Sequence, residues 1–198
     1  MTASPRSARE RLLAAADRLF YAEGVHTVGI DRLISEAGVA KGSLFYNFSG
    51  KDDLVAAYLA GRDQRRRARI AAHQDGLADP VDRMLAVFDA LHEAVTSPGY
   101  NGCPFANANA EAAPDSVEAR ALRTFRDWLA DTFLTLAREA GFTDPADVAD
   151  RLRLLYDGAV ATSHLDGRPD AARLAKEIAV TVLQTAPRDV GAVFATSH

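Results

Sequence analysis

Lys41, Ser43 and Tyr46 stand within six residues of one another, and their chemistry suits a polyanionic partner. A lysine ammonium can reach a base edge such as guanine or a backbone phosphate, and a serine hydroxyl can donate to either. Tyr46 adds a large side chain with a polar tip, and Lys51 supplies a second cation a few residues on. Gly42 has no side chain, so the backbone beside it can approach a surface closely. Catalysis is a poorer fit. The single cysteine, Cys103, has no His or Asp near it in sequence with which to form a nucleophile–base pair. His26, His73, His92, His164 and His198 are scattered without metal-ligand spacing. There is no Gly-rich phosphate loop. No catalytic residue, metal or cofactor is therefore expected.

The elements around these residues must be helices. Residues 6–23 place Leu12, Leu13, Ala16, Leu19 and Phe20 on one face at helical spacing, and Gly24 ends the run. Gly29 suits the N-cap of a helix over 30–37, with Asp31 at the positive end of its dipole and Gly38 as its stop. A second short helix runs from about Lys41 to Phe48, and Ser49-Gly50 breaks the chain. A long helix with Asp52 and Asp53 in its first turn then reaches as far as Gln74. Two short helices joined by a tight Gly turn make a helix-turn-helix, whose second helix can enter a DNA major groove. Ile30, Leu33, Val39, Leu44 and Phe48 are expected to form a small core against Leu12, Leu19 and Phe20.

The helical theme continues. Asp79-Pro80 opens a helix that ends before Pro98-Gly99, and Cys103-Pro104 opens a short one with Pro at its first position. Further helices cover about 116–140, 145–166 and 170–185. No run shows strand alternation. The expected fold is all-α with about nine helices. Residues 1–51 form a three-helix DNA-binding head (helix-turn-helix about 29–48), residues 52–187 a larger helical body, and residues 188–198 a loose tail.

The chain has 198 residues, of which 48% are hydrophobic and 25% charged, an ordinary globular balance. No segment approaches 18 uncharged apolar residues, and the leading MTASPRSARER lacks an apolar signal core. A cytoplasmic protein with no membrane partner is expected. One cysteine excludes an intrachain disulfide framework. The formal net charge is -4, but residues 1–72 hold twelve Lys/Arg against eight Asp/Glu, and the remaining residues carry a net -8. A basic front on an acidic body suits a protein whose front meets phosphates. The run Arg62, Arg65, Arg66, Arg67, Arg69 could add long-range attraction to DNA, although a solvated helix face is the simpler expectation. Gly102 to Ala112, GCPFANANAEA, leaves two readings of Cys103 open: structural, or a reactive thiol at a helix start. Asn107 and Asn109 can satisfy local backbone groups or read a ligand.

The head resembles the tetracycline-repressor (TetR) family of transcriptional regulators. The resemblance rests on Gly24, Ile30, Leu33, Ala37-Gly38-Val39, Lys41-Gly42-Ser43-Leu44, Phe48, and Lys51 with Leu54, spanning roughly residues 10–58. It implies operator DNA contact by Gly29, Lys41, Gly42, Ser43, Phe45, Tyr46, Asn47 and Lys51. The sequence departs from the family at Val28-Gly29, where Ser or Thr is frequent, at Phe45 in place of Tyr, at Asn47 in place of His, and at Ala40 in place of a capping Ser. The resemblance also implies a homodimer paired through the last two helices, with Leu152, Leu155, Ala159, Leu174, Ile178 and Val182 at the interface. Periodicity alone leaves open whether those residues are buried within one subunit. A small-molecule effector pocket is implied in the middle helices, with Phe88, His92, Phe105, Asn109, Phe125, Trp128 and Tyr156 as candidates. The expected function is a non-enzymatic, ligand-responsive repressor, and the alternative is a helical interaction module with weak or lost DNA binding.

Overall fold

The computed structural model describes residues 7–189. Among the described residues the chain forms nine helices: α1 (Ala8–Glu23), α2 (Ile30–Ala37), α3 (Lys41–Asn47), α4 (Lys51–Gln74), α5 (Pro80–Thr96), α6 (Pro104–Asn109), α7 (Val117–Glu139), α8 (Pro145–Leu165) and α9 (Ala171–Thr185). The all-α expectation holds, with helix boundaries close to those read from the turn residues.

Local chemistry explains the starts and stops. Ser7 caps α1 in a capping box: its Oγ accepts from the Glu10 N–H at 3.2 Å, and the Glu10 carboxylate accepts from the Ser7 N–H at 2.7 Å. Asp79 and Asp144 cap α5 and α8 ahead of Pro80 and Pro145, whose missing N–H groups cost nothing at the first helical position. Gly38 ends α2 in the left-handed conformation, at φ 60° and ψ 42°. Its N–H and that of Val39 return to the last carbonyls of α2, which turns the chain sharply into α3.

The chain gathers into two compact units. The first holds the described residues up to Arg65 together with 103–125; the second holds 66–102 and the described residues from 126 on. The unit carrying the helix-turn-helix is thus larger than a 1–51 head. The physical reason is that Leu54, Val55, Tyr58 and Leu59 of α4 are buried there as fully as Leu12, Leu33 and Leu44. Val25 and Val28, between α1 and α2, also belong to this core, whereas Ile30 and Val39 are only half-buried.

In the second unit α5 buries a broad apolar face, Met84, Ala86, Val87, Phe88, Ala90, Leu91 and Val95, against α8 and α9, and turns Asp82, His92 and Glu93 to solvent. Ala172, Ala175 and Ala179 give α9 a face of small residues buried in this packing. The Lys176 ammonium reaches both Asp89 oxygens at 2.7 and 2.6 Å. Arg188 and Asp189 are not loose, contrary to the expected tail. The Thr143 N–H donates to the Pro187 carbonyl, and the Asp189 N–H donates to the Gly141 carbonyl. The Arg188 guanidinium covers the Phe142 ring at 4.5 Å. The rest of the expected tail, 190–198, lies outside the described residues.

Gly102 sits at φ +76°, and a Cβ there would lie 2.8 Å from the His164 ring of α8. Gly102→Ala is therefore expected to lower stability by about 2–3 kcal/mol, combining left-handed strain with overpacking. Urea unfolding checks this, and adding His164→Ala should recover the overpacking share while leaving the backbone share.

Candidate nucleic-acid interface

α3 is seven residues long, and its two faces have different tasks. Leu44 points inward and is fully buried, and Phe48, just past the helix, is 3% exposed. Tyr46 is 90% exposed and Phe45 51%. Lys41 and Gly42 are also exposed, and a Cβ at Gly42 would meet nothing within 4 Å. Two neighbouring exposed aromatic rings make a small apolar patch, the kind of surface that marks an interaction site. Gly29 opens α2 on the solvent side, where an added Cβ would likewise meet nothing within 4 Å, and Lys51 opens α4 half-buried.

One expected contact, that of Asn47, is differently placed. The Asn47 amide Nδ2 donates to the Ser43 carbonyl at 2.7 Å, so this side chain folds back on its own helix. The Ser43 N–H donates to the Ala40 carbonyl at 2.9 Å, which leaves the Ser43 hydroxyl, half-buried, as its remaining donor. Ala40 caps α3 without a side-chain hydrogen bond. Lys41 lies 3.6 Å from Asp31, and both side chains are well exposed, so the pair is weak and readily exchanged for a phosphate.

Residues that sequence reasoning missed hold the α2–α3 pair in place. Arg11 of α1 donates to the Gly38 carbonyl in the turn at 3.2 Å. Arg18 pairs with Glu36, Arg32 lies 3.5 Å from Glu23, and Arg9 covers the Phe48 ring at 5.3 Å. The strongest tie joins α1 to α4. Arg62 Nε donates to Asp17 Oδ1 at 2.7 Å, and its Nη2 donates to Asp17 Oδ2 at 3.1 Å and to the Asp17 carbonyl at 3.0 Å. The same guanidinium lies 3.9 Å from the Tyr21 ring centre and 5.6 Å from that of Tyr58. Burial pushes the Tyr58 hydroxyl well above its ordinary range, so the ring stays neutral beside this cation. His26, in the α1–α2 loop, places Nε2 3.3 Å from the Ala108 carbonyl of α6.

The basic run of α4 is largely absorbed into the protein. Arg62 and Arg65 both pair with Asp17. Arg67 covers the Trp128 ring at 4.5 Å, and Arg69 and His73 both contact Glu93. The His73 hydrogen bond, then that of Arg69, holds the Glu93 carboxyl below its usual range.

The seven pocket candidates are divided between the two units. Phe88, Trp128, Tyr156 and His92 fall in the second unit, and Phe105, Asn109 and Phe125 in the first. Phe88 is fully buried, 6.1 Å from Phe133 and 6.4 Å from Tyr156 between ring centres, which is core packing. His92 is exposed. Phe105 and Phe125 stack at 4.8 Å, and Phe105 also lines a cavity of about 280 Å³ inside the first unit. Among the interface candidates, Leu152 and Ala159 are buried within their own protomer at 0% and 4% exposure, so they have no face to offer. Leu174 and Ile178 of α9 remain exposed, together with Leu154 and Leu165 of α8, which periodicity does not single out. Leu155 and Val182 are half-buried.

With this geometry in place, the chain matches two families of known proteins. Residues 12–58 match "Bacterial regulatory proteins, tetR family", and residues 80–179 match "Tetracyclin repressor-like, C-terminal domain". A crystal structure of a TetR-family transcriptional regulator from Streptomyces coelicolor is 38% identical, covering 90% of this chain and 95% of that one, with a TM-score of 0.85. The transcriptional regulator AcuR of Cereibacter sphaeroides is 28% identical over 82% of this chain and 79% of its own length. The transcriptional regulator LmrA of Bacillus subtilis is 34% identical over 42% of this chain; the match spans under half of LmrA, 45% of its length.

The α1–α4 tie should add measurably to the stability that the apolar core gives the first unit. Arg62→Met is expected to cost about 2 kcal/mol, because a bidentate charge-assisted pair that is 20% exposed on the arginine side is lost. Arg65→Met should cost less than about 1 kcal/mol, since Arg65 is 56% exposed and reaches Asp17 through one nitrogen. Urea unfolding of the two variants measures the difference.

Proposed function

Because the chain belongs to the TetR family of helix-turn-helix transcriptional regulators, we propose that it works as a ligand-responsive repressor, a homodimer released from its operator by a small molecule. The observation that carries the DNA-binding part is α3 itself: Lys41, Gly42, Phe45 and Tyr46 face solvent from a helix whose other face is anchored by Leu44. A major groove accepts one such helix, with its first turn nearest the base edges. Lys41 and Lys51 supply phosphate or guanine contacts, and Tyr46 reaches furthest. Gly29 and Gly42 let the backbone close on the duplex. Asn47 supports α3 from within and contributes least.

Dimerisation is supported by the apolar residues that α8 and α9 leave in water. Leu154 and Leu165 are 74% and 77% exposed, and Leu174 and Ile178 are 43% and 44% exposed. A second copy would cover them and set two recognition helices about 34–36 Å apart, one helical turn of DNA. Occupying an operator blocks access to it, which is why repression is the preferred sense. An effector acts if it binds better to an arrangement of heads that misses the operator spacing; tight binding without that difference releases nothing.

The test is a gel shift on the DNA upstream of the protein's own gene, extended to selection from a random duplex pool. Wild type should bind with strong salt dependence. Lys41→Ala should weaken binding to every sequence and reduce the salt slope by about one unit. Tyr46→Ala should weaken binding at least tenfold while the dimer, measured by sedimentation, persists. Leu174→Glu with Ile178→Glu should do the reverse, giving a folded monomer that no longer shifts DNA. No retarded DNA for wild type at any salt concentration would overturn the DNA-binding proposal in favour of an interaction module.

A further inference from the structure

The first unit contains a cavity of about 280 Å³. Its space comes from small side chains. Ala56 and Ala60 stand one turn apart on α4, and Val117 and Ala121 stand one turn apart on α7; all four line it. Its most deeply buried lining residues are Leu59 and Phe105, at 0% and 1% exposure. A cavity of about 150 Å³ lined by apolar side chains takes a benzene ring. This one is a cleft, open to solvent where Ala60, Arg120 and Thr124 are exposed, with volume for about two fused rings.

Its polar groups are unequal. Asp63 of α4 lines the cavity and is half-buried. Arg120 also lines it but is exposed, and its guanidinium is turned to donate to the Asp115 carbonyl. The Phe105 ring, stacked on Phe125, supplies the aromatic part of the wall. A carboxylate has about four lone-pair sites, so Asp63 can accept a further donor beside its existing partners.

We propose that this cavity is the effector site and that it takes a compact aryl-alkyl ammonium of about two fused rings, with the rings against Leu59 and Phe105 and the ammonium on Asp63. The identity of the site as an effector site rests on the repressor reading above; its ligand class rests on the cavity alone. An occupant would bear on α4 between Ala56 and Asp63, next to Arg62, and on α6 next to Ala108, the partner of His26. Both contacts lie in the unit that holds α2 and α3.

Calorimetric titration of the full chain with naphthylmethylamine, methylnaphthalene and naphthoate tests the class. The amine should bind about tenfold tighter than the neutral hydrocarbon, the worth of one charge-assisted hydrogen bond, and naphthoate should bind weakest. Asp63→Asn should bring the amine down to the level of the hydrocarbon while leaving the hydrocarbon unchanged. Ala60→Phe, at an exposed position on the cavity wall, should remove binding of both while circular dichroism and the melting temperature stay close to wild type. Equal binding of amine and hydrocarbon, preference for naphthoate, or undiminished binding by Ala60→Phe overturns the proposal. Amine that binds as described but leaves the operator complex intact at saturation sustains the cavity's ligand class and overturns the release reading. Amine that dissociates the operator complex from wild type, but not from Ala60→Phe, supports both.

Discussion

A helix of seven residues cannot hold itself together in water, because the cost of its first turn is not recovered over so short a length. α3 exists only because Leu44 and Phe48 are buried against other helices. The eight residues of α2 are in the same position, anchored by Leu33 and Ala37. Everything around them can be understood as the means of holding two unstable helices at a fixed angle. α1 supplies the apolar face, and Arg11 reaches across to satisfy the carbonyl of Gly38 at the turn. The first half of α4 closes the core with Leu54, Val55, Tyr58 and Leu59. The Arg62 tie to Asp17 then locks α4 to α1, so the rigid body that presents Tyr46 extends well beyond the helix-turn-helix itself.

That arrangement changes the meaning of the charge distribution. A net positive front suggests long-range attraction to phosphates, with the arginines of α4 as its largest contributor. Arg18 and Arg32 are paired with Glu36 and Glu23, and Arg62 and Arg65 share Asp17. These pairs set four guanidiniums against three carboxylates, so their close-range fields are reduced while one net positive charge remains. Arg9 and Arg11, held by the Phe48 ring and the Gly38 carbonyl, keep their charge, and Lys41 with its loose, exposed Asp31 contact and Lys51 at the start of α4 add two placed cations.

Helix positions are legible in the sequence because period and punctuation agree along the chain: Gly24, Gly38 and the Asp-Pro pairs mark the same ends in sequence and in structure. The outward face of α3 is legible for the same reason, since Leu44 and Phe48 leave Lys41, Phe45 and Tyr46 on the other side. Partnership is not. Leu152 and Ala159 share a helical face with residues that could meet a second copy, yet α5 and α9 already cover them. Leu154 and Leu165, which stand in water, break the expected pattern and so escape it. Asn47 faces outward by its place on the helix, but its amide is spent on the Ser43 carbonyl. Periodicity tells which residues are on one face and never which neighbour, if any, faces them.

The same limit explains why the cavity is invisible in sequence. Size singles out the aromatics of the middle helices as pocket candidates, and large side chains are the ones that fill space. Phe88 and Tyr156 do so completely. Space appears where side chains are missing, at Ala56, Ala60 and Ala121, and an alanine on a helix gives no sign of whether its neighbour fills the gap. Only the placement of α4, α6 and α7 around one space turns those alanines into a volume. Because those small residues share α4 with Arg62, the helix that closes the recognition core is also the helix a cavity occupant would touch.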